Sequence, residues 1–166
     1  MRAPRLVIAL ALLAAASPAA AQLANRSISV ESGVCLPLAA RAGAGPVFGL
    51  SSTVWLDGAV EAVFRLGFAS GAHPGGRAPA TALAGTAGLR LSLLPDPVRP
   101  QLGIELGWAR VGEEGGEQSG SRVALGLSGG LEWFPARDLS VAARVALRAV
   151  GAALSTETAL AATAYF

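Results

Sequence analysis

The stretch Leu139–Val150, LSVAARVALRAV, alternates between apolar side chains and small or charged ones. Successive side chains of a β-strand point to opposite faces, so this period of two predicts a strand with two chemically different faces. One face carries Leu139, Val141, Ala143, Val145 and Leu147, and the other carries Ser140, Ala142, Arg144, Ala146 and Arg148. The stretch is close in length to the roughly 9 to 11 residues of a tilted membrane-spanning strand.

The same alternation recurs in seven other segments of the chain. They span residues 27–38, 47–56, 60–69, 80–93, 101–111, 122–134 and 156–166. Short connections at 56–59, 95–100 and 135–138 contain the Pro, Asp and Gly of tight turns. Those at 39–45, 70–79, 112–121 and 151–155 are generally longer and rich in Gly and Ser. Eight strands with alternating short and long connections predict an all-β, antiparallel, up-and-down barrel.

The composition of the two faces indicates that the barrel spans a membrane. Hydrophobic residues make up 52% of the chain. No apolar run after residue 21 approaches the roughly 20 residues of a membrane helix. The other face is mostly Gly, Ala, Ser and Thr, whereas a soluble barrel needs charges at most exterior positions. We therefore predict a transmembrane β-barrel of eight strands, in preference to a secreted, soluble, lipocalin-like carrier.

The charged residues in the interiors of the predicted strands share the small-residue face, so we expect them inside the barrel. They are Glu31, Glu61, Arg65, Arg90, Glu105, Glu132, Arg144 and Arg148. Unpaired buried charges are costly, so four acids and four arginines predict ion pairs. A symmetric 95–100 turn sets Arg90 opposite Glu105, with Glu61 also in reach of Arg90. Glu132 and Arg144 are expected to lie diagonally across the 135–138 turn.

These lumen charges allow two interpretations. They could form a polar gate or proton path, or a salt-bridged plug that fills the barrel. An interior of eight strands is just wide enough for side chains, which favours the plug.

Aromatic side chains fall near the ends of the predicted strands, where membrane barrels carry interfacial girdles. We assign four of them to the girdle: Phe48, Phe68 and Trp108 at the loop ends, and Trp133 at the turn ends. Phe134, Tyr165 and Phe166 also lie near the turn ends. Trp55 has the parity of the lumen, which predicts a rim residue or a displacement by a bulge.

The first residues have the pattern of an export signal. Arg2 and Arg5 precede an apolar run at 6–16, and Ala19, Ala20 and Ala21 satisfy the small-x-small rule for cleavage before Gln22. We predict a signal peptide at 1–21 and one barrel domain at 22–166, in preference to a retained N-terminal helix.

The ionisable residues exclude some functions. The chain has no lysine, and after residue 21 it has eleven arginines and eleven acidic residues, so it lacks the basic face that nucleic acid requires. Cys35 is the sole cysteine, which excludes an internal disulfide and a cysteine-rich metal site. We interpret Cys35 as a space-filling residue and predict no cofactor and no metal.

The C-terminal strand TETALAATAYF ends in Phe166, preceded at alternate positions by Ala164, Ala162 and Leu160. With this strand, the chain resembles the small outer-membrane barrels that include the outer membrane protein A transmembrane domain and the opacity-like porin group. The resemblance implies the outer membrane of a Gram-negative bacterium. It also implies that Phe166 and Tyr165 belong to the signal read by the barrel-assembly machinery, with periplasmic chaperones acting during biogenesis. The implied surroundings are outer-membrane lipid and lipopolysaccharide around a monomer.

Some relatives in that group modify lipid A and use His and Ser near the outer rim. Here the sole histidine, His73, lies in the loop SGAHPGGRAP, without a His-x-Ser arrangement and with no carboxylate nearby in sequence. We therefore predict no catalytic residues and no enzyme. The acidic loop with Glu113, Glu114 and Glu117 fits no Ca²⁺ motif, so we interpret it as a solvated loop.

The sequence predicts a non-enzymatic barrel with a role in envelope integrity or surface interaction and with slow passage of small solutes. The alternative is a narrow, porin-like channel for ions or small solutes, gated by the lumen Arg and Glu pairs. A lipid A-modifying enzyme is the third hypothesis.

Overall fold

The computed structural model describes residues 26–38, 43–71, 80–93, 97–113 and 120–166. The predicted signal peptide at 1–21 lies outside the described residues, as do His73, Glu114 and Glu117. None of the described residues forms a helix that is long and apolar enough to cross a membrane.

The eight strands follow the predicted segments closely. They are β1 (Arg26–Pro37), β2 (Gly45–Asp57), β3 (Val60–Gly71), β4 (Ala80–Ser92), β5 (Val98–Glu113), β6 (Gly120–Ala136), β7 (Leu139–Val150) and β8 (Ala153–Tyr165). Each strand pairs antiparallel with the next, and β8 pairs with β1 to close the barrel. The predicted eight-stranded, up-and-down fold is confirmed. We call the end that holds Arg26, Phe166 and the 58–59 and 137–138 turns the turn end, and the opposite end the loop end.

The strands are strongly tilted. Directly paired residues can be followed once around the barrel from Ser27 in β1, and the path returns to β1 at Pro37, ten residues further along. A stagger of this size in eight strands requires a tilt of roughly 40° from the barrel axis. The interior is narrow because the barrel has only eight strands, and side chains from different walls meet across it.

Apolar side chains cover the outside of the barrel and charged ones lie within. Trp108 is 73% exposed and Leu127 is 57% exposed, whereas Glu61 and Glu132 are fully buried. Only a bilayer makes this arrangement favourable, because an exterior of Leu, Val and Phe side chains needs an apolar solvent. The barrel is a transmembrane one, as predicted.

One connection differs from the expectation, and the position of Trp55 is now defined. The connection between β7 and β8 is a two-residue turn, Gly151 and Ala152, and not the longer loop expected at 151–155. Gly151 has a φ of 59°, which glycine adopts at little cost and which allows this tight turn. The register of β2 against β3 shifts between Trp55 and Asp57, so Trp55 lies beside a bulge at the turn-end rim.

Candidate functional site in the barrel lumen

A continuous chain of ion pairs crosses the middle of the lumen. The order is Glu31, Arg65, Glu157, Arg148 and Glu105, with N–O distances of 2.8, 3.4, 2.6 and 3.1 Å along the chain. Thr86 extends it by donating a hydrogen bond to Oε2 of Glu105 at 2.7 Å. All five charged side chains are buried. The chain joins strands β1, β3, β8, β7 and β5, so it ties opposite walls of the barrel together.

The alternation of small and large lumen residues makes room for these long side chains. A Cβ atom at Gly67 would lie 2.5 Å from Nη1 of Arg65, so a larger residue there would force the guanidinium to shift from its place along its own strand. The glycines that the sequence places on the lumen face thus hold the space into which the arginines extend.

A second cluster lies nearer the turn end. Glu61 is 3.4 Å from Nη1 of Arg90, its direct partner on the neighbouring strand, and 3.5 Å from the hydroxyl of Ser92. Both charged residues are buried, and Glu61 has no exposed surface at all. This pair was one of those expected from the sequence.

Glu132 belongs to the same region but is held by neutral donors. Its carboxylate accepts hydrogen bonds from Gln101 Nε2 at 2.5 Å, from the Tyr165 hydroxyl at 2.7 Å and from the Ser140 hydroxyl. Charge-assisted hydrogen bonds of this kind can hold a buried carboxylate without a salt bridge.

Arg144 is buried, yet its Nε and Nη2 have no hydrogen-bond partner. It lies diagonally from Glu132, because Gly130 faces Arg144 and Glu132 faces Ala142. The diagonal placement agrees with the expectation from the sequence, but neutral donors occupy both carboxylate oxygens of Glu132. Arg144 borders a small void of about 20 Å³ that Arg65, Arg90 and Arg148 also line.

The expected pairing of Arg90 with Glu105 is wrong. Arg90 faces Gly103, and Glu105 faces Gly88. The register differs because the connection after β4 is not centred on 95–100: Ser92 already pairs with Gln101, and the amide of Leu93 donates to the carbonyl of Pro100 at 2.9 Å. Glu105 instead contacts Arg148, two strands away and in register across Gly126 of β6, and Arg90 contacts Glu61.

Glu157 was missed by the sequence-based selection of lumen charges, although it is the central carboxylate of the ion-pair chain. It shares the parity of Ala159 and Ala161, which the sequence assigned to the lumen face. Carrying that alternation back to the start of β8 would have found it. Nine buried charged residues of the described strands therefore line the lumen, five acids and four arginines.

The proposed girdle residues Phe48, Phe68, Trp108 and Trp133 all face outward and are 39 to 73% exposed. Phe166, at the turn end, is also exposed, whereas Tyr165 is buried in the lumen and touches Glu132. The two residues assigned to the assembly signal therefore have opposite orientations.

Aromatic rings and one guanidinium form a cluster at the turn end. The Cζ of Arg99 lies 4.5 Å from the ring centroid of Phe134 and 5.3 Å from that of Trp55. The Phe134 ring is in turn 5.4 Å from the ring of Tyr165. Cation–π contacts of this kind stabilise by about 0.5 to 2 kcal/mol and here join Arg99 of β5 to rings on β2 and β6.

The described residues of the lumen offer ion pairs and hydrogen-bonded carboxylates. Within the described part of the chain, no three His, Cys, Asp or Glu residues are arranged to hold a metal ion. What this arrangement can do is close the barrel, admit a small ion or proton through rearranged pairs, and stabilise the fold.

No protein-family model matches the chain, and no curated protein matches it significantly in sequence. Solved structures do match. Neisserial surface protein A is 12% identical with a TM-score of 0.74, over 86% of this chain and 97% of that one. Ail, the attachment invasion locus protein of Yersinia pestis, is 15% identical with a TM-score of 0.54, over 84% and 96%. The outer membrane enzyme PagL is 14% identical with a TM-score of 0.54, over 83% and 98%.

This chain therefore has the fold of small bacterial outer-membrane barrels. At such low identity the likeness speaks for the fold. Together with the apolar exterior described above, it places the barrel in the bacterial outer membrane, as the sequence predicts.

Proposed function

We propose that this protein is a closed, non-enzymatic outer-membrane barrel that acts through its presence in the envelope and through its loop-end surface. The observation that carries the proposal is the ion-pair chain from Glu31 to Glu105, which spans the lumen with all its members buried. Moving a solute through the barrel would require these pairs to separate in a narrow, low-dielectric interior, and separation there is costly.

Conductance of the refolded protein in planar bilayers tests this proposal. The expected result is no discrete conductance steps above the noise. The positive control is the double variant Arg65→Ala with Arg148→Ala, which lacks both arginines of the ion-pair chain. This variant should conduct if it folds, and heat-modifiable migration on a gel reports folding. Stable single-channel steps from the unaltered protein would overturn the proposal.

The second candidate, a narrow channel for ions or small solutes, is favoured by one observation. Arg144 leaves two of its nitrogens without a hydrogen bond and borders a void of about 20 Å³, which has room for one water molecule. If the barrel conducts, the channel should prefer anions over cations. This preference should be smaller in Arg144→Met, because that variant removes the guanidinium whose Nε and Nη2 have no hydrogen bond.

A lipid A-modifying enzyme is the least favoured candidate. The likeness to PagL concerns the fold, and His73, the sole histidine, lies outside the described residues. Overexpression in a Gram-negative host should leave the lipid A mass spectrum unchanged, and a new lipid A species would contradict our proposal.

We propose further that the barrel is a monomer surrounded by outer-membrane lipid and lipopolysaccharide, and that it is delivered by periplasmic chaperones and the barrel-assembly machinery. Phe166 supports this proposal, because it is an exposed aromatic that directly follows β8, the strand that closes the barrel. Changing Phe166→Ala should reduce the outer-membrane yield without abolishing refolding in detergent. Equal outer-membrane yields of Phe166→Ala and the unaltered protein would show that Phe166 is not part of the assembly signal.

A further inference from the structure

We propose that the loop-end half of the lumen is a binding site for a single-chain anionic amphiphile, which enters over the β7–β8 turn. The inference does not depend on whether the barrel conducts, because it concerns the space above the ion-pair chain. Three features support it: the shape of the cavity, the ion pairs made by the residues at its floor, and the position of Arg122 at its rim.

The cavity has a volume of about 350 Å³, within the range of small-molecule sites in proteins. Its walls are mostly apolar or small, and they include Ala84, Val111, Ala124 and Val150. Such walls suit an alkyl chain, since they offer few hydrogen bonds to a polar ligand.

Arg65, Arg148 and Glu157 form the floor of this cavity. Both arginines are already engaged: Arg65 contacts Glu31 and Glu157, and Arg148 contacts Glu157 and Glu105. A charged headgroup at the floor would have to break these buried ion pairs in order to bind. The alkyl tail of the ligand therefore lies at the floor of the cavity, and its headgroup lies at the rim.

Arg122 provides the charge at the rim. It lines the cavity, is exposed to solvent and makes no ion pair within 4 Å among the described residues. Its side chain lies across the β7–β8 turn, because a Cβ atom at Gly151 would be 3.0 Å from Cδ of Arg122 and 3.3 Å from its Nη1. A guanidinium in this position can bind a carboxylate or phosphate oxygen by charge-assisted hydrogen bonds.

The entrance lies over the β7–β8 turn, which is only two residues long. The last pair between β6 and β7 joins Ala124 to Val150, so residues 120–123 of β6 rise beyond the two-residue turn. Leu125 and Leu154 flank this turn, face outward and also line the cavity. The cavity thus reaches the lipid-facing surface here, and an alkyl chain could enter from the membrane without crossing water.

Equilibrium binding of dodecanoate to the protein in phosphatidylcholine nanodiscs, corrected by empty nanodiscs, tests the site. We expect one saturable site per barrel, with at least tenfold weaker binding of dodecyltrimethylammonium, which has the same chain and the opposite charge. Dodecyl phosphate should bind as dodecanoate does, which separates a general anion site from one specific to carboxylates. Absence of saturable binding, or equal binding of the ammonium compound, would overturn the proposal.

Three variants locate the site. Ala124→Phe should abolish binding by filling the cavity, and Arg122→Gln should weaken it about tenfold. Arg110→Gln, on the outward face of β5, is the matched control and should bind normally. Unchanged binding by a correctly folded Ala124→Phe barrel would show that the ligand lies elsewhere.

Cys35 supplies an independent readout, because it is buried, lines the cavity and is the only cysteine. Bound dodecanoate should slow its reaction with a small methanethiosulfonate reagent, and in Arg122→Gln the same protection should need about tenfold more dodecanoate. A reaction rate that dodecanoate leaves unchanged, at a concentration that saturates binding, would contradict the proposed location.

Discussion

The Nε atom of Arg148 lies 2.6 Å from Oε2 of Glu157, and both side chains are buried in the lumen. Replacing Glu157 by Gln removes the charge that Arg65 and Arg148 share, although each arginine keeps one other carboxylate. We expect Glu157→Gln to lower the free energy of unfolding by about 3 kcal/mol, at the low end for a broken buried pair. Urea titration in phospholipid vesicles, followed by tryptophan fluorescence, measures the change.

Asp138→Asn is the control for this experiment. Asp138 is an exposed turn residue with no ion pair within 4 Å among the described residues, so its loss should change stability by less than about 0.5 kcal/mol. If both variants lowered the free energy of unfolding equally, the ion-pair chain would make no specific contribution to stability.

The hydroxyl of Tyr165 donates to the fully buried carboxylate of Glu132. Tyr165→Phe leaves the ring in place and removes one hydrogen bond to a charged group, so we expect a loss of about 1.5 to 3 kcal/mol. Thr163→Val on the same strand is the matched control: its hydroxyl is buried without a partner, and its removal should be neutral or stabilising. The same urea titration measures both variants. A Tyr165→Phe barrel with the free energy of unfolding of the unaltered protein would contradict this prediction.

Arg144 and Arg148 lie on the same face of β7 but have different surroundings. Arg148 contacts Glu105 and Glu157, whereas Nε and Nη2 of Arg144 have no hydrogen bond. Arg144→Met should therefore be neutral or stabilising, and Arg148→Met should lose about 3 to 5 kcal/mol, because it leaves buried carboxylates uncompensated. The prediction fails if Arg144→Met is as unstable as Arg148→Met.

The outward orientation of Leu127, near the middle of β6, can be tested with a charge. Leu127→Arg should cost about 2 to 4 kcal/mol, and Leu139→Arg, at the turn end, about 0 to 1 kcal/mol, because the penalty for arginine on the lipid face depends on depth. Refolding yields and urea midpoints in vesicles report both. Similar penalties at the two positions would contradict a barrel whose middle lies deeper in the membrane than its turn end.

Two glycines of β4 allow a test of backbone approach. A Cβ atom at Gly88 would lie 1.9 Å from the carbonyl oxygen of Ile104, whereas one at Gly85 would meet only a Leu66 methyl group at 3.6 Å. Gly88→Ala should destabilise the barrel by about 1 to 3 kcal/mol, since the strands must move apart. Gly85→Ala should be nearly neutral, and a neutral Gly88→Ala would show that the strand pair relaxes freely.

The fold could be predicted from the sequence because a period of two reports directly on strand faces. The alternation in Leu139–Val150 gave the outward and inward side chains of β7 correctly. The same parity places Glu61 and Glu132 inside the barrel, where both are fully buried. Parity is a local property, so it does not depend on which strands meet.

Pairing across the barrel could not be obtained in the same way. Register depends on how a connection turns, and the Pro-rich segment after β4 places Arg90 opposite Gly103. The partners of Glu105 and Glu157 also depend on the registers of β5 to β8, which bring Arg148 within ion-pair distance of both carboxylates. The tight turn at Gly151 was missed because its residues, Gly and Ala, resemble those of the longer loops.

The amide of Phe166 donates to the carbonyl of Arg26 at 3.0 Å, and the amide of Arg26 donates back to Phe166 at 3.3 Å. The first described residue and the last residue of the chain therefore fasten the same seam. Before β1 and β8 pair along this seam, each is an edge strand whose free amides and carbonyls can pair with a strand of another molecule. Closing the seam therefore also protects the protein from aggregation through its strand edges.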